Sequence, residues 1–140
     1  MDSCLQLSVL TMNGTVYEGP CRSLLVPMEK GAMLIEPGHT NFIGALSKAG
    51  VLRIDIEERS NFYAVFGGVI DVRRNESVTL LCEEINDGHD IDLARAIAAR
   101  DRNLDRIQTR DPGIDIKRAQ IKLTKALVRI NVKQLSEGTK

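Results

Sequence analysis

The chain has 140 residues, 43% of them apolar and 27% charged, and its 19 basic side chains match 19 acidic ones for a formal net charge of zero. That length suffices for one ordinary core, or for a small β domain with a helical appendage, and the apolar content excludes intrinsic disorder. No run approaches the roughly 18 apolar residues of a membrane-spanning helix, and Met1 to Gly14 lacks the basic start and apolar block of a signal peptide.

Leu5, Leu7 and Val9 alternate with Gln6 and Ser8, which predicts a strand, and Asn13-Gly14 predicts a tight turn back into Val16 and Tyr17. Ser23 to Val26 reads as a second strand that ends at Pro27, because proline cannot donate to a central ladder. Glu29 to His39 reads as a loop. Within it Pro37-Gly38 suits a type II turn, proline fixing the first central φ and glycine accepting a positive φ at the second, with His39 and Asn41 at the rim. Val51, Arg53, Asp55 and Glu57 oppose Leu52, Ile54 and Ile56, the pattern of a strand with one wet face. Asn61 to Phe66, Val69 to Val72 and Ser77 to Cys82 complete the series, with turns near Gly67-Gly68 and Arg74-Asn75-Glu76. Many short strands at this spacing predict an antiparallel sandwich or barrel.

At about residue 90 the pattern changes. Residues 1–89 hold nine of the eleven glycines and every aromatic residue, whereas from Asp90 onward apolar residues recur at helical spacing. Seven basic against twelve acidic residues give the first part a net charge of −5, and twelve against seven give the remainder +5. Asp90 is placed to cap a helix, and Asp92 suits its positive N-terminal dipole. Leu93, Ile97, Leu104 and Ile107 form one stripe, with Ala94, Ala96, Ala98 and Ala99 allowing close approach of a neighbour. Asp111-Pro112-Gly113 breaks the helix, and from about Ile114 a second stripe follows through Ile116, Ala119, Leu123, Ala126, Leu127 and Ile130. Two stripes joined by a short turn predict an antiparallel helical hairpin, which divides the chain into residues 1–87 and 88–140. Helices of about 20 residues are marginal alone, so packing must hold the hairpin, and a hairpin held this way is a plausible two-state element.

Cys4, Cys21 and Cys82 form an odd set without paired spacing and read as free, reduced thiols in a cytosolic setting. His39 and His89 lie far apart without a ligand pattern, so no metal is expected. The chain also lacks a phosphate-binding loop, a nucleophile elbow and any Cys or Ser with a nearby His, which argues against catalysis. The basic tail contains no aromatic residue for base stacking, which argues against nucleic-acid binding.

The ordered set Tyr17-Glu18-Gly19, Ile35-Glu36-Pro37-Gly38-His39, Gly50-Val51-Leu52-Arg53-Ile54, Gly67-Gly68-Val69-Ile70-Asp71-Val72 and Val78-Thr79-Leu80-Leu81 resembles the epsilon subunit family of F-type ATP synthase, the delta subunit of mitochondria. The resemblance covers almost the whole chain. It implies an α+β fold, an N-terminal antiparallel β-sandwich followed by a C-terminal antiparallel α-helical hairpin. It also implies a non-catalytic central-stalk subunit of a rotary, proton-transporting enzyme, peripheral on the cytoplasmic face of the bacterial inner membrane. Its implied partners are the gamma stalk subunit, the membrane c-ring and the catalytic alpha and beta subunits, and the hairpin would inhibit ATP hydrolysis. Met33, Glu36, His39 and Asn41 would face the rotor ring, where Gly31-Ala32-Met33-Leu34 replaces the small acidic run of many members.

Ile91-Asp92-Leu93-Ala94-Arg95-Ala96 is similar to the motif of members that bind ATP in the folded hairpin. No cofactor is required, but the resemblance implies a regulatory ATP, with or without Mg, held by Ile91, Asp92, Arg95, Ala96, Arg102, Lys125 and Arg129. Arg95 and Arg102 share a helix face two turns apart, while Lys125 and Arg129 lie one turn apart on the second helix. Asn86 stands where such members carry an acid, and Lys125 where they carry arginine. The same charges equally suit a solvated face, or pairs with Asp92, Asp101 and Asp105. An independent ATP-sensing module is the alternative function.

Overall fold

Alternation of apolar and polar residues sets the first strand: in β1 (Leu5–Thr11) the side chains of Leu5, Leu7 and Val9 are buried. The tight turn forms one residue earlier than expected, at Met12-Asn13, with Gly14 paired to Thr11 and adopting φ +130 to start β2 (Gly14–Cys21). The computed structural model describes residues 4–110, 112–113 and 115–138. β3 (Ser23–Met28), β4 (Gly31–Ile35), β5 (Phe42–Ala45), β6 (Gly50–Ile56), β7 (Arg59–Val65), β8 (Gly68–Arg73), β9 (Ser77–Cys82) and β10 (Ile85–Asp87) follow. They form two five-stranded sheets, ordered β2-β1-β9-β8-β5 and β10-β7-β6-β3-β4. The ladders are antiparallel except β1 with β9, which run parallel. The core lies between the sheets, with Leu7, Val9, Ile70 and Leu80 from one and Leu24, Val26, Leu52 and Ile54 from the other.

Three expectations change here. β3 does not stop at Pro27: its pairing with β6 ends at Leu25, so the missing N–H of Pro27 falls where no β6 partner remains, and the strand runs on beside β4. The segment read as a loop contains β4, an edge strand whose Met33 packs on the core while Leu34 is exposed. The face of β6 expected to be wet is wet only in part, Arg53 and Glu57 keeping solvent contact. Asp55 is only 4% exposed, and Val51 lies under a third, helical layer.

That layer begins after a 3-10 turn, Gly88–Asp90, whose backbone is capped by the Asp87 carboxylate. α1 spans Leu93–Thr109 and α2 spans Ile116–Gly138. Asp92, and not Asp90, is the N-cap of α1, accepting from the Arg95 N–H at 3.1 Å. Asp115 does the same for α2, accepting from Arg118 N–H at 3.1 Å. Arg110 ends α1 in the left-handed conformation, and the break expected at Asp111 and the start at Ile114 lie outside the described residues. Ala96 and Asn103 of α1, and Ala119, Ala126 and Ile130 of α2, are buried, whereas Leu104 and Leu127 are exposed. The stripes are therefore narrower than apolar spacing suggested, with small residues at the helix contact.

α2 also lies on the outer face of the second sheet. Val132 is fully buried in a small cluster with Ala64, Phe66 and Ile91, separate from the inter-sheet core. Gly88 permits this approach, since a Cβ there would fall 1.8 Å from Ser136 Oγ.

Asp55 gathers its own donors: Ser23 Oγ and Ser60 Oγ each donate at 2.7 Å and Arg53 Nε at 3.3 Å. Burial by itself pushes the carboxyl up, but the two hydroxyls and the guanidinium outweigh it and hold the pKa below its ordinary value. A lowered folded-state pKa means that this stabilisation is fully present above the unfolded value, about 3.9, and is lost as pH falls through the folded value. Asp55→Asn is therefore expected to remove part of the acid sensitivity of unfolding below about pH 4. Urea titrations of both proteins from pH 7 to pH 2 check this, with equal slopes as the contrary result.

Candidate functional site

A cleft of about 520 Å3 opens where β10 and the 3-10 turn meet the two helices. Five of the seven residues expected at a nucleotide line it: Ile91, Asp92, Arg95, Ala96 and Arg129. Arg102 is exposed on α1 outside the cleft, and Lys125 points elsewhere.

Three motif residues have architectural duties. Ile91 is buried against Ala64, Phe66 and Val132, Asp92 caps α1, and Ala96 is small enough for α2 to pack closely. Arg95 is exposed and has no ion-pair partner among the described residues. Its head is available at the cleft mouth.

The two α2 cations are not free. Lys125 Nζ donates to Glu84 Oε1 at 3.0 Å, and Arg129 Nη2 donates to Glu84 Oε2 at 2.6 Å. Arg129 Nε donates to Asn86 Oδ1 at 2.9 Å. The Phe66 ring lies against both, with its centroid 5.1 Å from Lys125 Nζ and 4.7 Å from Arg129 Cζ. Asp92 and Asp105 take neither cation; among these acids Asp101 pairs with Arg100, at 2.9 Å. Sequence reasoning missed Glu84 and Phe66 because no local pattern links them to α2: Glu84 lies 41 and 45 residues from its partners.

The cleft lining carries Asp87, Asp90 and Asp92 against Arg95 and Arg129. A polyphosphate would meet an excess of carboxylates and an arginine already engaged. This donor set, as arranged, does not fit a regulatory ATP.

At the opposite side, the Pro37-Gly38 turn has the expected type II form: His39 N–H donates to Glu36 C=O at 3.2 Å, and Gly38 adopts φ +91. Glu36 and Asn41 are exposed and His39 partly so, whereas Met33 faces inward. The Asn41 side chain accepts from the Arg74 N–H, which ties the turn to the β8–β9 hairpin.

Two family models match consecutive parts of the chain: the ATP synthase delta/epsilon chain β-sandwich domain over residues 4–88, and its long α-helix domain over residues 89–134. The chain belongs to the ATP synthase delta/epsilon family. The epsilon chain of Bacillus licheniformis is 34% identical over 128 residues, covering 91% of this chain and 96% of that one. That of Desulfitobacterium hafniense is 32% identical over 131 residues, covering 94% and 97%. The fold also matches a chain of the Euglena gracilis mitochondrial ATP synthase, solved as an OSCP/F1/c-ring assembly, with TM-score 0.78 at 18% identity over 89% of this chain and 78% of that one. As a delta/epsilon-family member the chain is a non-catalytic subunit of ATP synthase. Among the described residues no helix is long and apolar enough to cross a membrane.

Proposed function

We propose that this delta/epsilon-family chain is a central-stalk subunit of a rotary F-type ATP synthase, with its sandwich joining a gamma-type stalk subunit to the membrane rotor ring and its hairpin restraining ATP hydrolysis. The observation that carries the reading is the division of labour in the packing. The sandwich closes its own core between the sheets, while α2 is held on the outside by one small apolar cluster and a few polar contacts. An element docked this lightly can leave without unfolding its platform. Once extended, the +5 tail is suited to an acidic helical region of the catalytic subunits, by charge complementarity. Glu36, His39 and Asn41, with the exposed Leu34, supply the rim suited to the ring, and the subunit would sit peripherally on the cytoplasmic face of the bacterial inner membrane.

Assembling the enzyme with a chain lacking residues 90–140 tests this. Retained binding to the stalk with faster ATP hydrolysis is expected; unchanged hydrolysis contradicts the regulatory role, and lost binding contradicts docking through the sandwich.

A further inference from the structure

The two α2 cations that would be turned toward a nucleotide already hold an anion. Glu84, on the segment between β9 and β10, divides its oxygens between Lys125 at 3.0 Å and Arg129 at 2.6 Å, and the remaining Arg129 Nε goes to the neutral Asn86 amide at 2.9 Å. Anionic oxygens shared between a lysine and an arginine reproduce the way a phosphate is gripped. Phe66 backs both cations from the sandwich side and shields the pair from water on that face. All the anchoring groups belong to the sandwich, whereas both cations belong to α2 and lie one turn apart. The pairing therefore fastens the mobile element to its platform with no ligand present. The cleft beside it sets three carboxylates, Asp87, Asp90 and Asp92, against one cation without an ion-pair partner among the described residues, Arg95.

We propose that Glu84 is a built-in anion that latches α2 onto the sandwich in place of a phosphate ligand, so that the closed hairpin forms without nucleotide and a polyphosphate binds only by displacing this carboxylate. The proposal rests on reading the hairpin as a mobile element.

Hydrogen exchange of the α2 amides, in the full chain, tests the latch. The β9 amides serve as internal reference, and Glu83→Gln as a variant with the same change in charge. In the unaltered chain, α2 protection is expected to be the same with and without millimolar ATP. In Glu84→Gln, α2 should exchange about tenfold faster, the scale of a lost charge-assisted pair, with β9 unchanged. Millimolar ATP or inorganic tripolyphosphate should then restore protection by supplying the missing anion. Glu84→Gln as protected as the unaltered chain would overturn the proposal. So would lost protection that neither anion restores, an equal loss in Glu83→Gln, or a clear gain of protection by the unaltered chain on adding ATP. The hydrolysis test above reads the assembled enzyme, so either result can fail without the other.

Discussion

Val132→Asp detaches α2 from the sandwich while leaving the sandwich folded. Val132 has no exposed surface and sits among Ala64, Phe66 and Ile91, with Val51, Phe62 and Val128 around them. The nearby cations, Lys125 and Arg129, are already paired with Glu84, so a carboxylate at 132 has no ready partner. Burying it unpaired costs several kcal/mol, more than a cluster of this size returns, and the helix gains water for the new charge by leaving. Hydrogen exchange is expected to show α2 amides losing protection while β6 and β7 retain most of theirs. In the assembled enzyme, the same variant should favour the extended hairpin and so slow ATP hydrolysis further. Full protection of α2 in Val132→Asp would mean that the cluster is not what holds it.

Leu80→Ala acts on the other core and on the whole molecule. Leu80 is fully buried at the centre of β9, flanked by β1 and β8 and facing the second sheet. Removing a buried leucine to alanine costs about 2–5 kcal/mol, a large fraction of the roughly 5–15 kcal/mol that holds a domain of this size. Chemical denaturation should show one cooperative transition at a lower midpoint, with strands and helices lost together, because α2 has no platform once the sandwich opens. The two variants thus separate the layers: Val132→Asp uncouples the helix from the sheet, and Leu80→Ala removes both. A Leu80→Ala penalty below about 1 kcal/mol would contradict the tight inter-sheet packing.

Much of this architecture was readable without coordinates. Leu5, Leu7 and Val9 declare a half-buried strand by strict alternation, and Asn13-Gly14 marks its turn to within one residue, since both signals are local. Ser77–Cys82 appears at the expected bounds for the same reason. Local rules failed where pairing is non-local. Pro27 is tolerated because β6 has stopped pairing two residues earlier, and β5 and β10 exist because β8 and β7 offer them free edges. Neither fact is written in the segments themselves. Asp55 looked like a solvated residue because its alternation was right, but its partners Ser23 and Ser60 come from the strands on either side, which no local pattern shows.

The cleft divides in the same way. Ile91, Asp92, Arg95 and Ala96 come as a contiguous motif across the start of α1, so their convergence is local, set by the Asp92 cap and the first helical turn. That Lys125 and Arg129 already hold Glu84, above the Phe66 ring, depends on α2 crossing back over the second sheet to meet residues more than 40 positions earlier.

By itself, then, the sequence determined the two-part layout at residue 90, the opposite charges of its halves, the strand and helix periods and the motif that opens α1. Each depends on residues within a few positions of one another, where sterics, capping and periodicity act directly. Only the tertiary structure decided that part of the outer face of β6 is covered, and that the basic helix spends its charge on the acidic sandwich before any ligand arrives. Those outcomes are set by which surfaces meet, and no local pattern encodes a meeting between residues that far apart.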